Sequence, residues 1–201
     1  NKKKRVRFNQ IEDKKQARSS QYQDEFDYLV ASGICNEVKA ISNPRFPLDE
    51  SESKNLLKLY FNDVGLLTRL LYQYNIAAVM DEQKGINLGT VYELAVCSEL
   101  SAHGFPLFYY DNKKKGEVEF LVNDYDSLTV VPIEVKSGKD YDQHASLDHF
   151  VETPNYNIKK GYVLCNEREI LQEGAITYLP IYFVMFLVPS TPPDKVIIDI
   201  S

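Results

Sequence analysis

Two glutamates and a lysine in a predicted β-hairpin are the residues of this chain whose types and spacing best suit catalysis. Residues 116–139 contain two runs of alternating apolar residues around a polar, turn-rich segment, 123–129, a pattern typical of two antiparallel strands and their loop. Residues that pair across a hairpin have numbers with a constant sum, about 252 for a loop centred here. Glu119 and Glu134 are therefore predicted to be neighbours, with Lys136 two residues further along on the face of Glu134.

The alternation also predicts which side chains share a face of each strand. The positions expected on an apolar face are Val118, Phe120, Val122, Val131, Ile133 and Val135. The positions expected to oppose them are Glu117, Glu119, Leu121, Pro132, Glu134 and Lys136. Each strand is thus predicted to have one apolar face and one charged edge.

The predicted pair of carboxylates has two chemical interpretations. Like charges placed opposite each other destabilise a sheet, so these groups either face water or hold a cation. A solvated face is the common case, because 26% of the residues are charged and E-x-E or E-x-K triplets arise easily. The hairpin alone leaves both interpretations open.

A third acidic residue is predicted on the buried face of a helix, residues 89–103. Stepping about 100° per residue from Glu93 places Cys97 and Leu100 within about 60° of it. A buried carboxylate is costly unless it is hydrogen-bonded, paired or bound to a metal. Glu93 therefore has either a structural hydrogen bond, to the backbone or to a tyrosine, or a functional role.

Hydrophobic periodicity and turn residues predict the elements that position these side chains. The predicted helices are 21–32, a helix after an N-cap at Asn62 or Asp63, 89–103 and 142–153. The predicted strands are 34–41, 57–61, 106–110, the two hairpin strands and 161–165. The last should lie parallel to the second hairpin strand, as a right-handed crossover requires. Residues 175–188 add core as strand or helix, and 191–201 form a mobile terminus or an edge strand.

The composition is that of a globular protein, with 44% hydrophobic and 12% aromatic residues in a chain of 201. The longest apolar run, 178–188, is too short to span a membrane and contains Pro180. The basic N-terminus lacks the apolar core of a signal peptide. It also lacks an initiator Met, so we expect a piece of a longer protein.

The cysteines and histidines favour structural roles over metal binding. The cysteines are odd in number and form no C-x-x-C pair, which predicts reduced packing residues in a cytoplasmic protein. The histidines are scattered and are expected at the surface or at helix caps. These residues are Cys35, Cys97, Cys165, His103, His144 and His149.

The net charge of −6 conceals an asymmetry along the chain. Residues 1–20 carry a charge of +6, so residues 21–201 carry −12. An acidic body does not attract nucleic acid over its whole surface, and any phosphate contact must be local. The charge distribution therefore argues against a strong non-specific DNA-binding protein.

The order helix, three strands, helix, strand, with a Glu on the first helix, an acid on the second strand and E-x-K on the third, resembles the core of the PD-(D/E)XK nuclease superfamily. More closely, the segments KLYFNDVGLL, GTVYELAV, LFYYDNKKKGEVEFLV, VPIEVKSGK and GAITYLPIYF resemble a C-terminal domain of unknown function. In a widespread group of prokaryotic AAA-superfamily ATPases, that domain follows the ATPase module. The resemblance covers about residues 55–188.

This resemblance implies an α/β (α+β) fold, with a restriction-endonuclease-like mixed sheet flanked by helices and a small N-terminal helical segment. Residues 1–50 would be the end of a winged-helix-like linker segment, 51–190 the nuclease-like domain and 191–201 a C-terminal tail. The partners implied are DNA or RNA and the ATPase module of the same full-length chain. Since no G-x-x-x-x-G-K-[ST] motif occurs, we expect no ATP hydrolysis by these residues.

The resemblance also assigns roles to individual residues. Glu119, Glu134 and the Val135 carbonyl would hold Mg²⁺ or Mn²⁺. Glu93 would support the metal or its water. Lys136 would orient the attacking water and stabilise the charge that develops on phosphorus.

Two other functions remain open from the sequence. The chain has Glu119 where the family usually has Asp, and its body is acidic, which favours a non-catalytic recognition or regulatory module of the ATPase. The intact E-x-K favours the enzyme. A third possibility is a protein-binding domain that uses the apolar C-terminal run.

Overall fold

Most of the chain that the computed structural model describes, residues 6–7, 23–73, 77, 80, 88–112 and 115–190, lies in strands and helices. The strands are β1 (Val6–Arg7), β2 (Cys35–Ile41), β3 (Glu52–Phe61), β4 (Phe108–Asn112), β5 (Gly116–Asp124), β6 (Thr129–Val135), β7 (Gly161–Cys165), β8 (Leu171–Glu173) and β9 (Ile176–Pro180). The α-helices are α1 (Gln23–Ala31), α2 (Val64–Tyr72), α3 (Gly89–Ala102) and α4 (Ala145–Glu152). Short 3-10 helices are Leu48–Ser51, Pro154–Tyr156 and Ile181–Phe186.

The strands of the described residues form one mixed sheet in the order β1-β3-β2-β4-β5-β6-β7-β9-β8. Strands β5 and β6 are antiparallel neighbours, and their pairs run from Phe120↔Ile133 to Asp124↔Thr129. This register lies within one residue of the prediction, and the pairs end at Phe120↔Ile133, one residue before the predicted pair of Glu119 and Glu134. Strand β7 is parallel to β6, also as predicted. The prediction of a mixed sheet flanked by helices is confirmed.

A buried cluster lies on each face of the sheet; α3 covers the first together with α2 and the last 3-10 helix, and α4 covers the second. Helix α3 contributes Leu94, Val96, Cys97 and Leu100 to the first cluster, together with Phe120, Val122, Ile133 and Val135. Helix α4 contributes Leu147 and Phe150 to the second, together with Val118, Leu121 and Val163. The helix of Glu93 therefore packs on the sheet face that holds Ile133 and Val135.

A β-bulge in β5 breaks the strict alternation that the sequence predicts. Phe108 pairs with Leu121, but Tyr110 pairs with Val118, so β5 carries one more residue than β4 between these points. Val118 consequently packs on the α4 side with Leu121, while Phe120 packs on the α3 side. The predicted shared face of Val118 and Phe120 is wrong, because a bulge shifts the phase of the side chains.

The remaining elements agree with the patterns that predict them. The Asp63 carboxylate caps α2 by accepting a hydrogen bond from the Leu66 amide at 2.8 Å. Residues 175–188, predicted to be either strand or helix, contain both, because strand β9 runs directly into a 3-10 helix. All three cysteines are free and buried. No helix within the described ranges has the length and hydropathy to cross a bilayer.

The predicted domain boundary at residue 50 separates strands that pair with each other in the sheet. Strand β2 lies between β3 and β4 in the sheet, so residues on both sides of that division share one sheet. The loop between β2 and β3 is tied to the hairpin loop, since the Leu48 amide donates to Asn123 Oδ1 at 3.1 Å. The 1–50, 51–190 and 191–201 domains stay a prediction, and the predicted tail lies outside the described residues.

Candidate functional site

Glu134 and Lys136 form an ion pair at the end of β6. The Lys136 Nζ atom lies 2.9 Å from Glu134 Oε1, and Lys136 is partly exposed whereas Glu134 is only 6% exposed. Glu134 is buried because β6 lies inside the sheet, between β5 and β7, where each of its residues is covered. Its second oxygen, Oε2, is buried and has no hydrogen-bond partner in the described part of the chain. The E-x-K thus presents a buried carboxylate beside an ammonium group that reaches the surface.

The surroundings of Glu134 oppose its ionisation. Burial raises the pKa of Glu134 above its ordinary value, and the charges of Lys136 and then His144 act against that rise. The charge of Glu93 adds to it. The carboxyl therefore binds its proton more tightly in the folded chain than a solvated glutamate would.

This raised pKa predicts that the stabilising effect of glutamine at position 134 increases with pH. Between the ordinary value of 4.5 and the raised pKa, the folded protein binds more protons than the unfolded chain. The free energy of unfolding of the wild type therefore falls as pH rises through this window. Urea denaturation of the wild type and of Glu134→Gln at matched pH values measures the effect. A difference between the two proteins that does not change with pH would contradict it.

Glu119 binds the backbone of the E-x-K strand. Its Oε2 atom accepts a hydrogen bond from the Val135 amide at 2.8 Å. The backbone pairs of β5 and β6 extend only to Phe120 and Ile133, and the bulge in β5 lies at the same point. The carboxylate of Glu119 thus takes the place of a backbone acceptor there. This contact joins Glu119 to Val135, the residue between Glu134 and Lys136, at this end of the hairpin.

Glu93 lies on α3, on the opposite side of the sheet from α4. Its side chain is buried, at 4% exposed, as the helical pattern predicts. The charge of Glu93 reaches Glu134, since it is among the causes that raise the pKa of Glu134. It reaches Tyr60 of β3 as well, whose pKa it also raises. The predicted acid of the helix is therefore within electrostatic range of the E-x-K.

Asn166, which follows β7, connects the two segments that carry these residues. Its Nδ2 group donates to the Tyr92 hydroxyl at 3.3 Å and to the Ser137 carbonyl at 3.1 Å. Tyr92 immediately precedes Glu93, and Ser137 immediately follows Lys136. Sequence reasoning missed Asn166, because an asparagine after a strand reads as a turn residue.

His144 is buried rather than exposed, and of the two predicted roles it takes the second, since it occupies the N-cap position of α4 without a side-chain cap hydrogen bond. Its side chain is buried at the start of α4, with Nε2 2.7 Å from the Tyr178 hydroxyl and Nδ1 2.9 Å from Asp148 Oδ1. The residues that enclose it come from α4 and β9, which are far apart in sequence. A scattered histidine gives no sequence signal of such a contact.

Lys58 of β3 is a second cation that the sequence did not indicate. Its side chain is fully buried, its Nζ atom pairs with Glu117, and it lies 4.6 Å from the centroid of the Tyr109 ring. Glu117 is two residues before Glu119 on β5. A buried ion pair therefore links β3 to the strand that carries Glu119.

Comparison with known proteins identifies two families of unknown function. Residues 88–184 match the family described as "Domain of unknown function (DUF4143)". Residues 1–75 match the family described as "Domain of unknown function (DUF8612)". No curated protein and no solved structure matches the chain significantly. The first match contains α3, the hairpin, α4 and β7, and therefore all the site residues predicted from the sequence.

Among the described residues, the acidic side chains do not gather into a larger metal-binding group. Within the ranges that the structure describes, no set of three or more His, Cys, Asp or Glu side chains is arranged to hold a metal ion. A site in the predicted form, with two carboxylates and a backbone carbonyl, needs only Glu119 and Glu134 from these residue types.

Proposed function

We propose that this chain is a nuclease-like domain of the PD-(D/E)XK type that hydrolyses phosphodiester bonds of DNA or RNA with Mg²⁺ or Mn²⁺. The observation that supports this function is the meeting of Glu119 with the backbone of an E-x-K whose carboxylate is buried and whose lysine reaches the surface. In the full-length protein we expect this domain to follow an ATPase module, which the resemblance of its motifs to such proteins suggests.

The residues present fit a hard divalent cation. Carboxylate and carbonyl oxygens are the ligands that Mg²⁺ and Mn²⁺ prefer. A buried carboxylate oxygen without a hydrogen-bond partner, such as Glu134 Oε2, is costly unless a cation or a donor satisfies it. Glu119, Glu134 and the Val135 carbonyl would hold the ion. Once bound, the ion would supply charge stabilisation at phosphorus and a more acidic water.

The side chains of this chain then have separate roles in the reaction. The oxygen of a water molecule bonds to phosphorus, and the ester bond breaks with its electron pair passing to the leaving oxygen. Glu93 accepts the proton that the water loses, and solvent protonates the leaving oxygen. Lys136 orients the water and stabilises the added negative charge of the transition state. The products are one phosphate monoester and one hydroxyl.

Cleavage of short oligonucleotides in Mn²⁺ tests this function. We expect the wild type to cut at least one substrate among single-stranded, duplex and branched DNA and single-stranded RNA. Lys136→Ala should reduce the rate by about 10²-fold or more, because it removes a group that stabilises transition-state charge. Lys139→Ala, three residues further along, is the matched control and should cut at the wild-type rate. Failure of the wild type to cut any of the substrates would contradict the proposal.

A non-catalytic recognition or regulatory module is the second candidate. It is favoured by the hydrogen bond between Glu119 and the Val135 amide, which gives that carboxylate a structural role in the sheet. The same substrates, tested for binding without cleavage, distinguish the two functions. Binding that persists in Lys136→Ala, with no cleavage by the wild type, would support the module.

A further inference from the structure

The hydroxyl of Tyr60 on β3 is a buried hydrogen-bond donor without a partner among the described residues. Tyr60 is 7% exposed, and its hydroxyl makes no hydrogen bond to any group of the described residues. Buried phenol hydroxyls usually find a partner, because an unsatisfied one costs free energy. The hydroxyl is therefore available to a small polar molecule.

Tyr60 lies on the face of the sheet that is covered by α3, the helix that carries Glu93. The Tyr60 ring centroid is 5.8 Å from that of Phe120, the residue after Glu119. Tyr60 also belongs to the same buried cluster as Cys97, which is one helical turn after Glu93. On its own strand it lies two residues after Lys58, whose ammonium group pairs with Glu117.

The charges around Tyr60 keep its hydroxyl protonated. Burial raises the pKa of Tyr60 well above its ordinary value, and the charge of Glu93 raises it further. Glu119 and Glu117 act in the same direction. The phenol is thus a neutral donor within electrostatic range of three carboxylates.

We propose that Tyr60 is a further catalytic residue of this site, whose hydroxyl donates a hydrogen bond to the attacking water. This inference rests on the proposed phosphodiester hydrolysis. Ionised carboxylates only accept hydrogen bonds, so Glu93 and Glu119 can hold the water only through its hydrogens. Once the water has lost a proton to Glu93, its oxygen has three lone pairs, so the phenol and a bound ion would each take one and leave the third to be directed at phosphorus. The burial of Tyr60 suits a contact with water, which needs less space than a nucleotide.

Replacing Tyr60 with phenylalanine tests this role, because it removes the hydroxyl and keeps the ring that packs on Phe120. In Mn²⁺ with the oligonucleotide that the wild type cuts, we expect kcat to fall by about tenfold or more while KM stays within about twofold, since the donor acts on the reacting water. The melting temperature without metal should not fall, because the lost group leaves no partner behind in the part of the chain that the structure describes. If Tyr60 had a purely structural role, the substitution would lower the melting temperature and leave kcat unchanged.

Tyr110→Phe is the control. The Tyr110 hydroxyl is 3.0 Å from that of Tyr156, on the α4 side of the sheet, so its loss should lower the melting temperature and leave kcat unchanged. An unchanged kcat in Tyr60→Phe, or a melting temperature that falls as far as in Tyr110→Phe, would overturn the role of Tyr60 alone. Absence of cleavage by the wild type would overturn the proposed function and this inference with it.

Discussion

Glu134→Gln is expected to leave the metal-free protein at least as stable as the wild type and to remove the stabilisation that Mn²⁺ gives. Without metal, glutamine relieves the cost of a buried charge, and the partly exposed Lys136 returns to water. With metal, a ligand at one hundred times its dissociation constant stabilises the native wild type by about 2.7 kcal/mol. The order of stability of the two proteins therefore reverses when Mn²⁺ is added.

Thermal melting of both proteins, with and without millimolar Mn²⁺, measures this reversal. Glu169→Gln is the matched control, because Glu169 is exposed between β7 and β8 and far along the chain from the hairpin. It should show the wild-type shift. An equal Mn²⁺ shift in Glu134→Gln would remove Glu134 from the metal ligands. Absence of a shift in the wild type would count against the metal site and favour the non-catalytic module.

Glu117→Gln is expected to destabilise the protein by about 3–5 kcal/mol, because it leaves the buried ammonium group of Lys58 without its counter-charge. Lys58→Met should cost less, since it removes the charge and keeps a chain of similar length over the Tyr109 ring. Glu117 is partly exposed, so its carboxylate can be solvated once Lys58 is gone. The double variant should therefore be more stable than Glu117→Gln alone.

Urea denaturation of the three variants gives these free energies. The exposed pair of Lys39 and Glu52, at 3.1 Å, supplies the comparison, and Glu52→Gln should cost no more than about 1 kcal/mol. If Glu117→Gln proves no more costly than Lys58→Met, the ammonium group is satisfied by other groups. The ring of Tyr109, which makes a cation–π contact with Lys58, would then be the first of these groups to replace.

The non-catalytic interpretation has a physical basis in the same hairpin. A carboxylate at a β-bulge that accepts a backbone amide contributes to the sheet whether or not a metal is bound. Glu134 has the reverse effect on stability. Burial raises its pKa, so the ionised carboxylate opposes folding at neutral pH. A residue that weakens the fold is more readily explained by function than by structure.

The sequence by itself determined the elements whose signal is local. Period-two alternation and the loop composition predicted the antiparallel hairpin and its register to within one residue. The helical period predicted the burial of Glu93, and the apolar run 161–165 predicted a strand parallel to β6. Asp63 was predicted as an N-cap from its position alone. Each of these depends on residues a few positions apart, where spacing fixes geometry.

Only the tertiary structure decided which distant side chains surround the site. The bulge in β5 arises from pairing with β4, so the hairpin sequence could not reveal that Val118 and Phe120 face opposite sides. Lys58 and Tyr60 reach the α3 face because β3 enters the same sheet, and His144 is buried because Tyr178 of β9 packs on it. Such contacts join residues dozens of positions apart, and the chain's own spacing does not encode them. The candidate residues of the hairpin were therefore visible in the sequence, whereas the groups that set their charge and position came from packing.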